Sequence, residues 1–303
     1  MRIEQLFGKK CVKNFALSSF SQVFRIMMKI VMMLNYSFQE NIDSSETLLL
    51  FDAVSSKEKS PNLRCKFRDF RIISEKIRIP QPGNSFERPR LNELLGKQIE
   101  QFGASLILGR AGTGKTTVAV NFARDYERVA WFRVESAESD WETFSQYFVS
   151  GFRISLPEAD FSFAPVLPNQ TTETRVLNFL EQLFSVLEKV SKEQRILIVL
   201  DDLHSVFDAE WFETFFKCLF SYEIPNIQIL LLSRSKPPFP LWRLRSKQKL
   251  GVLEENLLLF TINELEEFLK SKEISKEKIR RIHKSSFGRV SKILDLQDFQ
   301  SFR

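Results

Sequence analysis

Cysteine and histidine are scarce: the 303 residues hold three Cys and two His. Cys11, Cys65 and Cys218 lie far apart, with no CxxC pair and no Cys/His cluster, so neither a zinc site nor a disulfide framework is supported. Such usage fits a reducing, cytoplasmic setting. Long apolar runs are missing as well. The most apolar early stretch, 23–36, is broken by Arg25 and Lys29, and it falls short of the roughly 18–20 uncharged residues a spanning helix needs. It also lacks an apolar core followed by a small-residue cleavage site, which argues against secretion. Charge of one sign is in excess only before residue 81. The net charge of +6 arises in 1–80, where 14 Lys/Arg face 8 Asp/Glu, whereas 81–303 carries 30 of each. A basic nucleic-acid-binding face is therefore not indicated for the main body.

What is present changes character near residue 80. All five methionines fall within the first 33 positions, and 1–80 shows neither clear periodicity nor a motif. It reads as an atypical extension, disordered or non-native, or else as a small helical piece with an amphipathic helix at 24–34. The turn-rich IPQPG at 79–83 marks the boundary.

Beyond it the pattern becomes regular. Helices are predicted at 90–102, 115–126, 141–152, 172–192 and 210–219. Strands are predicted at 104–108, 129–134, 196–200 and 227–232, with a last strand at 256–260. A proline-bearing loop spans 157–170. Thr261 and Glu264 have capping-box spacing and open a helix to about 270, followed by short helices at 275–283 and 290–296. Apolar strands that alternate with helices imply an α/β fold, a parallel five-stranded sheet covered on both faces.

The run Gly109-Arg110-Ala111-Gly112-Thr113-Gly114-Lys115-Thr116 satisfies G-x-x-x-x-G-K-[ST], with Thr117 next. A loop that wraps a polyphosphate must turn its backbone N–H groups inward, which demands conformations that a Cβ disfavours. The following helix adds its N-terminal partial positive charge. Lys115 is placed to reach the β- and γ-phosphates, and the Thr116 hydroxyl to bind Mg²⁺. Some 85 residues later, the apolar strand Ile196-Leu-Ile-Val-Leu200 ends in Asp201-Asp202. The first carboxylate is expected to hold Mg²⁺, and the second to orient or deprotonate attacking water. The strand at 227–232 runs into Ser233 and Arg234, where Arg234 can sense a γ-phosphate or pair with Asp202. His204 reads as a hydrogen-bonded structural residue.

Glu87-Arg-Pro-Arg-Leu91, the loop GRAGTGKTT, the strand VAWFRV, LIVLDDLH at 197–204 and LLLSRSKPPFPLWRLR at 230–245 occur in that order. Together they resemble the nucleotide-binding domain of MalT-like, LuxR-type transcriptional activators, within the STAND class of signal-transduction ATPases. The likeness spans about residues 84–296. It implies a P-loop NTPase of AAA/ASCE type at 84–260 and the start of a small helical lid at 261–303. It also implies an ATP-Mg²⁺ switch that hydrolyses slowly and self-associates in a nucleotide-dependent way. By position it implicates Arg88, Pro89 and Arg90 in holding adenine and Arg234 as sensor 1. The family continues into a winged helix, a helical-repeat sensor and a helix-turn-helix. None of these precedes Arg303, so DNA binding and inducer recognition are not assigned. Two other readings stand beside the switch. One is a ring-forming AAA-type remodelling or loading ATPase, with Arg243 or Arg245 as a trans-acting finger. The other is a nucleotide-binding remnant without activity.

Overall fold

The computed structural model describes residues 72–81, 86–163, 170–192, 194–222, 224–238, 241–270 and 274–298. All belong to one compact unit, Phe70–Arg303. The expected helix at 24–34, and all of the expected extension before residue 72, lie outside the described residues, as does part of the loop at 157–170.

Five strands form one parallel sheet in the order β2-β3-β4-β1-β5. They are β1 (Ala104–Leu108), β2 (Arg128–Arg133), β3 (Ile196–Asp201), β4 (Ile227–Ser233) and β5 (Gly251–Leu253). Between and after them run α1 (Pro89–Phe102), α2 (Lys115–Ala123), α3 (Trp141–Ser155), α4 (Thr172–Val190), α5 (Phe212–Leu219) and α6 (Leu241–Ser246). A short α7 (Glu255–Leu258) then leads to α8 (Ile262–Leu269), α9 (Lys276–Ser286) and α10 (Val290–Asp298).

Strand β3 shows why the sheet is buried on both sides. Ile196, Ile198 and Leu200 join one core, with α3, α4 and α5, while Leu197 and Val199 join the other, with α1 and α2. Successive residues of a strand face opposite ways, so a continuous apolar run serves two cores at once. The first core is rich in rings: Trp211 lies 4.0 Å from Phe144, and Phe215 packs edge-on to Phe144 at 5.1 Å, centroid to centroid. Such pairs add about 0.5–1.5 kcal/mol each beyond area burial. A third, smaller core of Phe260, Leu265, Leu269, Ile279 and Ile293 holds α8, α9 and α10 together.

The helix starts follow their caps. Asp140 and Thr171 accept from the N–H groups of Thr143 and Thr174. Thr261 and Glu264 form the expected capping box at α8.

One strand differs from expectation. Residues 256–260 are not the last strand; Glu255–Leu258 is a helical turn, and the sheet is completed by Gly251–Leu253 beside β1. A short apolar run does not reveal its own period. Here Leu258 serves the second core and Phe260 the third. Gly251 allows the close approach of α1, since a Cβ there would lie 2.8 Å from Gln98 Oε1.

The segment before the expected boundary is also tied down. Ser74–Lys76 forms a 3-10 turn whose Lys76 is buried, 2.8 Å from both Glu135 and Glu138.

Candidate functional site

The loop between β1 and α2 gathers at the C-terminal edge of the sheet, where open parallel sheets bind ligands. Gly109 N–H donates to Ser233 O at 3.1 Å, which seats the loop against the end of β4. Gly112 and Gly114 take φ of +74° and +87°, a region that favours glycine. Thr113 is buried and its Oγ1 donates to Arg110 O at 2.8 Å, pinning the turn. Ala111 and Gly112 face solvent at the loop's crest, and Thr116 and Thr117 are half-buried in the first turn of α2.

Lys115 is 6% exposed, and its Nζ donates to Arg110 O at 3.2 Å. Burial lowers its pKa, while the nearby Asp202 and Asp201 carboxylates oppose that shift. Thr116 Oγ1 donates to Asp201 Oδ2 at 2.9 Å. Asp201 is 1% exposed, and its carboxyl is pushed up to about 6 by burial and by the neighbouring Asp202 charge. A buried acid held against its charge is a ready site for a cation. Hydroxyl and carboxylate oxygens also make a hard donor set that suits Mg²⁺, which takes one or two carboxylates and completes its shell with phosphate and water. Among the described residues no cluster of three or more His, Cys, Asp or Glu could hold a metal on its own.

Asp202 adopts φ +56° and ψ +35°, a left-handed conformation that Asp tolerates better than most residues. Its N–H donates to Asp201 Oδ1 at 2.9 Å. Arg234 Nε lies 3.4 Å from Asp202 Oδ1, so the pairing read as one of two options is formed. His204 packs beside Asp202, with a hydrogen bond to the Asp202 backbone. Its Nδ1 is buried without a hydrogen-bond partner, 3.8 Å from Asp202 Oδ1 and too far to bond, and burial lowers its pKa. Arg243 and Arg245 are exposed on α6.

The structure does not bring the guanidiniums of Arg88 and Arg90 to the loop; both face the lid. Arg88 is 4% exposed and donates to Glu264 Oε2 at 2.9 Å, Leu258 O at 2.6 Å and Leu259 O at 2.9 Å. Arg90 reaches the same carboxylate at 3.2 Å. Pro89 opens α1, where its missing N–H costs nothing. Sequence reading missed two residues from beyond β5 that touch the loop, Glu255 and Ser291, and a third, Arg289, that bonds Glu255. Only the glycine before Arg289, at φ +71°, hints at a special turn there.

Residues 82–221 match the AAA ATPase domain family. The MalT transcriptional regulator of Vibrio parahaemolyticus is 26% identical over 196 residues, 63% of this chain and 21% of that protein. The MalT regulator of Yersinia enterocolitica is 23% identical over 170 residues, 56% of this chain and 18% of that protein. The chain thus spans about a fifth of the length of these relatives. Among solved structures, a Walker-type ATPase of Pyrococcus abyssi is similar at 12% identity and a TM-score of 0.43, over 68% of this chain and 64% of that one. The loop, the sheet order, the family match over 82–221 and the MalT relatives agree: the chain carries a P-loop ATPase domain similar to that of the MalT regulators.

Proposed function

We propose that the chain binds ATP with Mg²⁺ at 109–117 and hydrolyses it slowly, as a nucleotide-dependent switch. The observation that carries the reading is the Thr116–Asp201 hydrogen bond, which joins the phosphate loop to the end of β3. In this reading residues 84–260 are the nucleotide-binding domain and 261–303 the lid. The backbone N–H groups of Gly112 to Thr117 cradle the phosphates, Lys115 neutralises them, and Thr116 with Asp201 holds Mg²⁺. The metal supplies charge neutralisation across the phosphate oxygens. Asp202 orients water. Arg88, Pro89 and Arg90 shape the adenine end through backbone and lid contacts, since both guanidiniums are engaged with Glu264.

Slow turnover follows from how Asp202 is held. Its side chain is one methylene shorter than a glutamate's and is held 3.4 Å from Arg234 Nε, so its reach toward an attacking water is limited. Arg234 links any change at the γ-phosphate position to that pair. Nucleotide-dependent self-association, a role in transcription control and a cytoplasmic setting belong to the same reading, supported by the likeness to MalT regulators. Among the described residues no helix is long and apolar enough to cross a membrane.

Titration of the purified chain with a fluorescent ATP analogue tests the reading. Binding should require Mg²⁺ and be lost in Lys115→Ala. Turnover should fall below about one per second, the low end for enzymes. Binding that survives Lys115→Ala, or sustained turnover well above that rate, overturns it.

A further inference from the structure

The carboxylate of Glu255 stands where the sheet, the phosphate loop and the lid meet, and the ATP site as assigned above makes no use of it. Glu255 opens α7, directly after β5, so it lies at the join between sheet and lid. Its Oε2 accepts the Arg110 backbone N–H at 2.9 Å, and its Oε1 accepts from Arg110 Nη2 at 2.9 Å. Arg289, the residue before α10, donates from Nη2 to the same Oε1 at 2.7 Å. One carboxylate therefore collects backbone and side chain of a loop residue together with a guanidinium of the lid. Hydrogen bonds from Arg110, and then from Arg289, hold its carboxyl down at about 2, so it is charged at neutral pH.

A second contact points the same way. Ser291 N–H donates to Gly112 O at 3.1 Å. A Cβ on Gly112 would fall 2.6 Å from Ser291 Oγ, and one on Gly114 would fall 3.3 Å from Val290 Cγ2. The first turn of α10 thus rests on the crest of the phosphate loop. Without Glu255, Arg110 and Arg289 would be two like charges in mutual reach, and the Ser291–Gly112 bond would have to hold the lid against them.

We propose that Glu255 is a positioning residue: it clasps α10 onto the phosphate loop through Arg289 and Arg110, and so sets how long a nucleotide stays bound. The inference rests on the ATP-binding reading for its consequence, but the clasp itself is a property of the nucleotide-free chain. Solvent screens the Arg289 arm less, because its side chain is 23% exposed against 70% for Arg110.

The test uses the full chain with Glu255→Ala, Glu255→Gln, Arg289→Ala and the Glu255→Ala/Arg289→Ala pair. Two quantities are read: release of a fluorescent ADP in a chase experiment, and amide exchange at 289–293 and at 196–201 without nucleotide. Glu255→Ala should speed release about tenfold, the change expected when roughly one strong charge-assisted contact is lost. Glu255→Gln should fall between it and the parent. The double variant should be no faster than the quicker single one. Exchange at 289–293 should rise while 196–201 stays protected, which loss of global stability would not produce. Unchanged exchange at 289–293 in both Glu255 variants, or strictly additive effects, overturns the clasp. If the parent chain shows no Lys115-dependent nucleotide binding, the ATP reading fails instead, and amide exchange alone decides the clasp. Should Glu255→Ala not fold, Glu255→Gln decides by the same two readouts.

Discussion

Thr116 Oγ1 and Asp201 Oδ2 lie 2.9 Å apart although 85 positions separate them in the chain. The hydroxyl belongs to the first turn of α2 and the carboxylate to the last residue of β3. Their bond fixes how the phosphate loop sits over the sheet. Replacing Thr116 with Val keeps the shape and removes the donor, leaving a buried carboxylate with one partner fewer. Stability should fall by about 1–3 kcal/mol, and Mg²⁺-dependent binding of an ATP analogue should weaken more than Mg²⁺-free binding. Urea denaturation and titrations with and without Mg²⁺ check both. Equal weakening in the two titrations would speak against a metal-binding hydroxyl.

Asp201 itself should be a stability liability in the nucleotide-free chain. Its carboxyl is pushed from 3.8 to about 6, by burial first and by Asp202 second. The folded chain therefore holds this proton more tightly than the unfolded one. The stabilising contribution is full below 3.8 and is lost as pH rises through about 6. Asp201→Asn removes the charge, so the metal-free variant should be more stable than the parent at pH 7.5 by on the order of 1–3 kcal/mol. The advantage should shrink toward pH 4 while Mg²⁺-nucleotide binding is lost. Thermal melts across that range are the measurement. A variant less stable than the parent at every pH would show that the charge is not what burial penalises.

Most of the sheet was legible from residues alone, because β3 is apolar up to Asp201 and β1 and β4 are mostly apolar, with Ser105 in one and Gln228 and Ser233 in the other, a pattern that burial on both faces explains. The helix start at Thr261 was legible through its capping box. The phosphate loop and Asp201 were legible because one short motif and one strand end each carry their own geometry. What escaped was whatever depends on long-range pairing. Strand β5 has three residues, too few to show a period, and the mostly apolar 256–260 reads as a strand in its place. Glu255 and Arg289 look like ordinary surface charges until the fold sets Arg289 and Arg110 on one oxygen of Glu255. Arg88 is bonded to Glu264, 176 residues on, a pairing that no local pattern announces.

Arg88 also supports a prediction about the lid. Its guanidinium is buried between Glu264, two carbonyls and the Phe260 ring, 4.3 Å from the ring centre. Breaking a buried, hydrogen-bonded ion pair from one side costs up to about 3–5 kcal/mol when the remaining charge is stranded, and Arg90, 3.2 Å from Glu264, softens that cost here. Arg88→Met should therefore destabilise, whereas Arg88→Met with Glu264→Gln should recover part of the loss. Amide exchange should rise first in 262–286, the helices that Glu264 anchors. A double-mutant cycle with no coupling would mean that the two residues act separately.

Lys76 tests whether the segment ahead of the nucleotide-binding domain belongs to the fold. It is 3% exposed, lies 2.8 Å from Glu138, itself fully buried, and stacks 5.1 Å above the Tyr147 ring. The backbone N–H of Ile73 reaches the Tyr147 hydroxyl at 3.2 Å, so the segment is held at two points. Burial opposes the lysine's charge, but Glu135 and Glu138 outweigh it and raise its pKa above 10.5. Its contribution is thus present below 10.5 and fades only as pH rises beyond the raised value. Lys76→Met should cost about 3–5 kcal/mol at pH 7, because the buried Glu138 loses its ion-pair partner. Lys76→Met with Glu138→Gln should be milder, since a neutral amide tolerates that environment better. Guanidinium denaturation of the three chains, followed by Trp fluorescence, separates the cases, and a Lys76→Met chain as stable as the parent would show that 72–81 adds nothing to the domain.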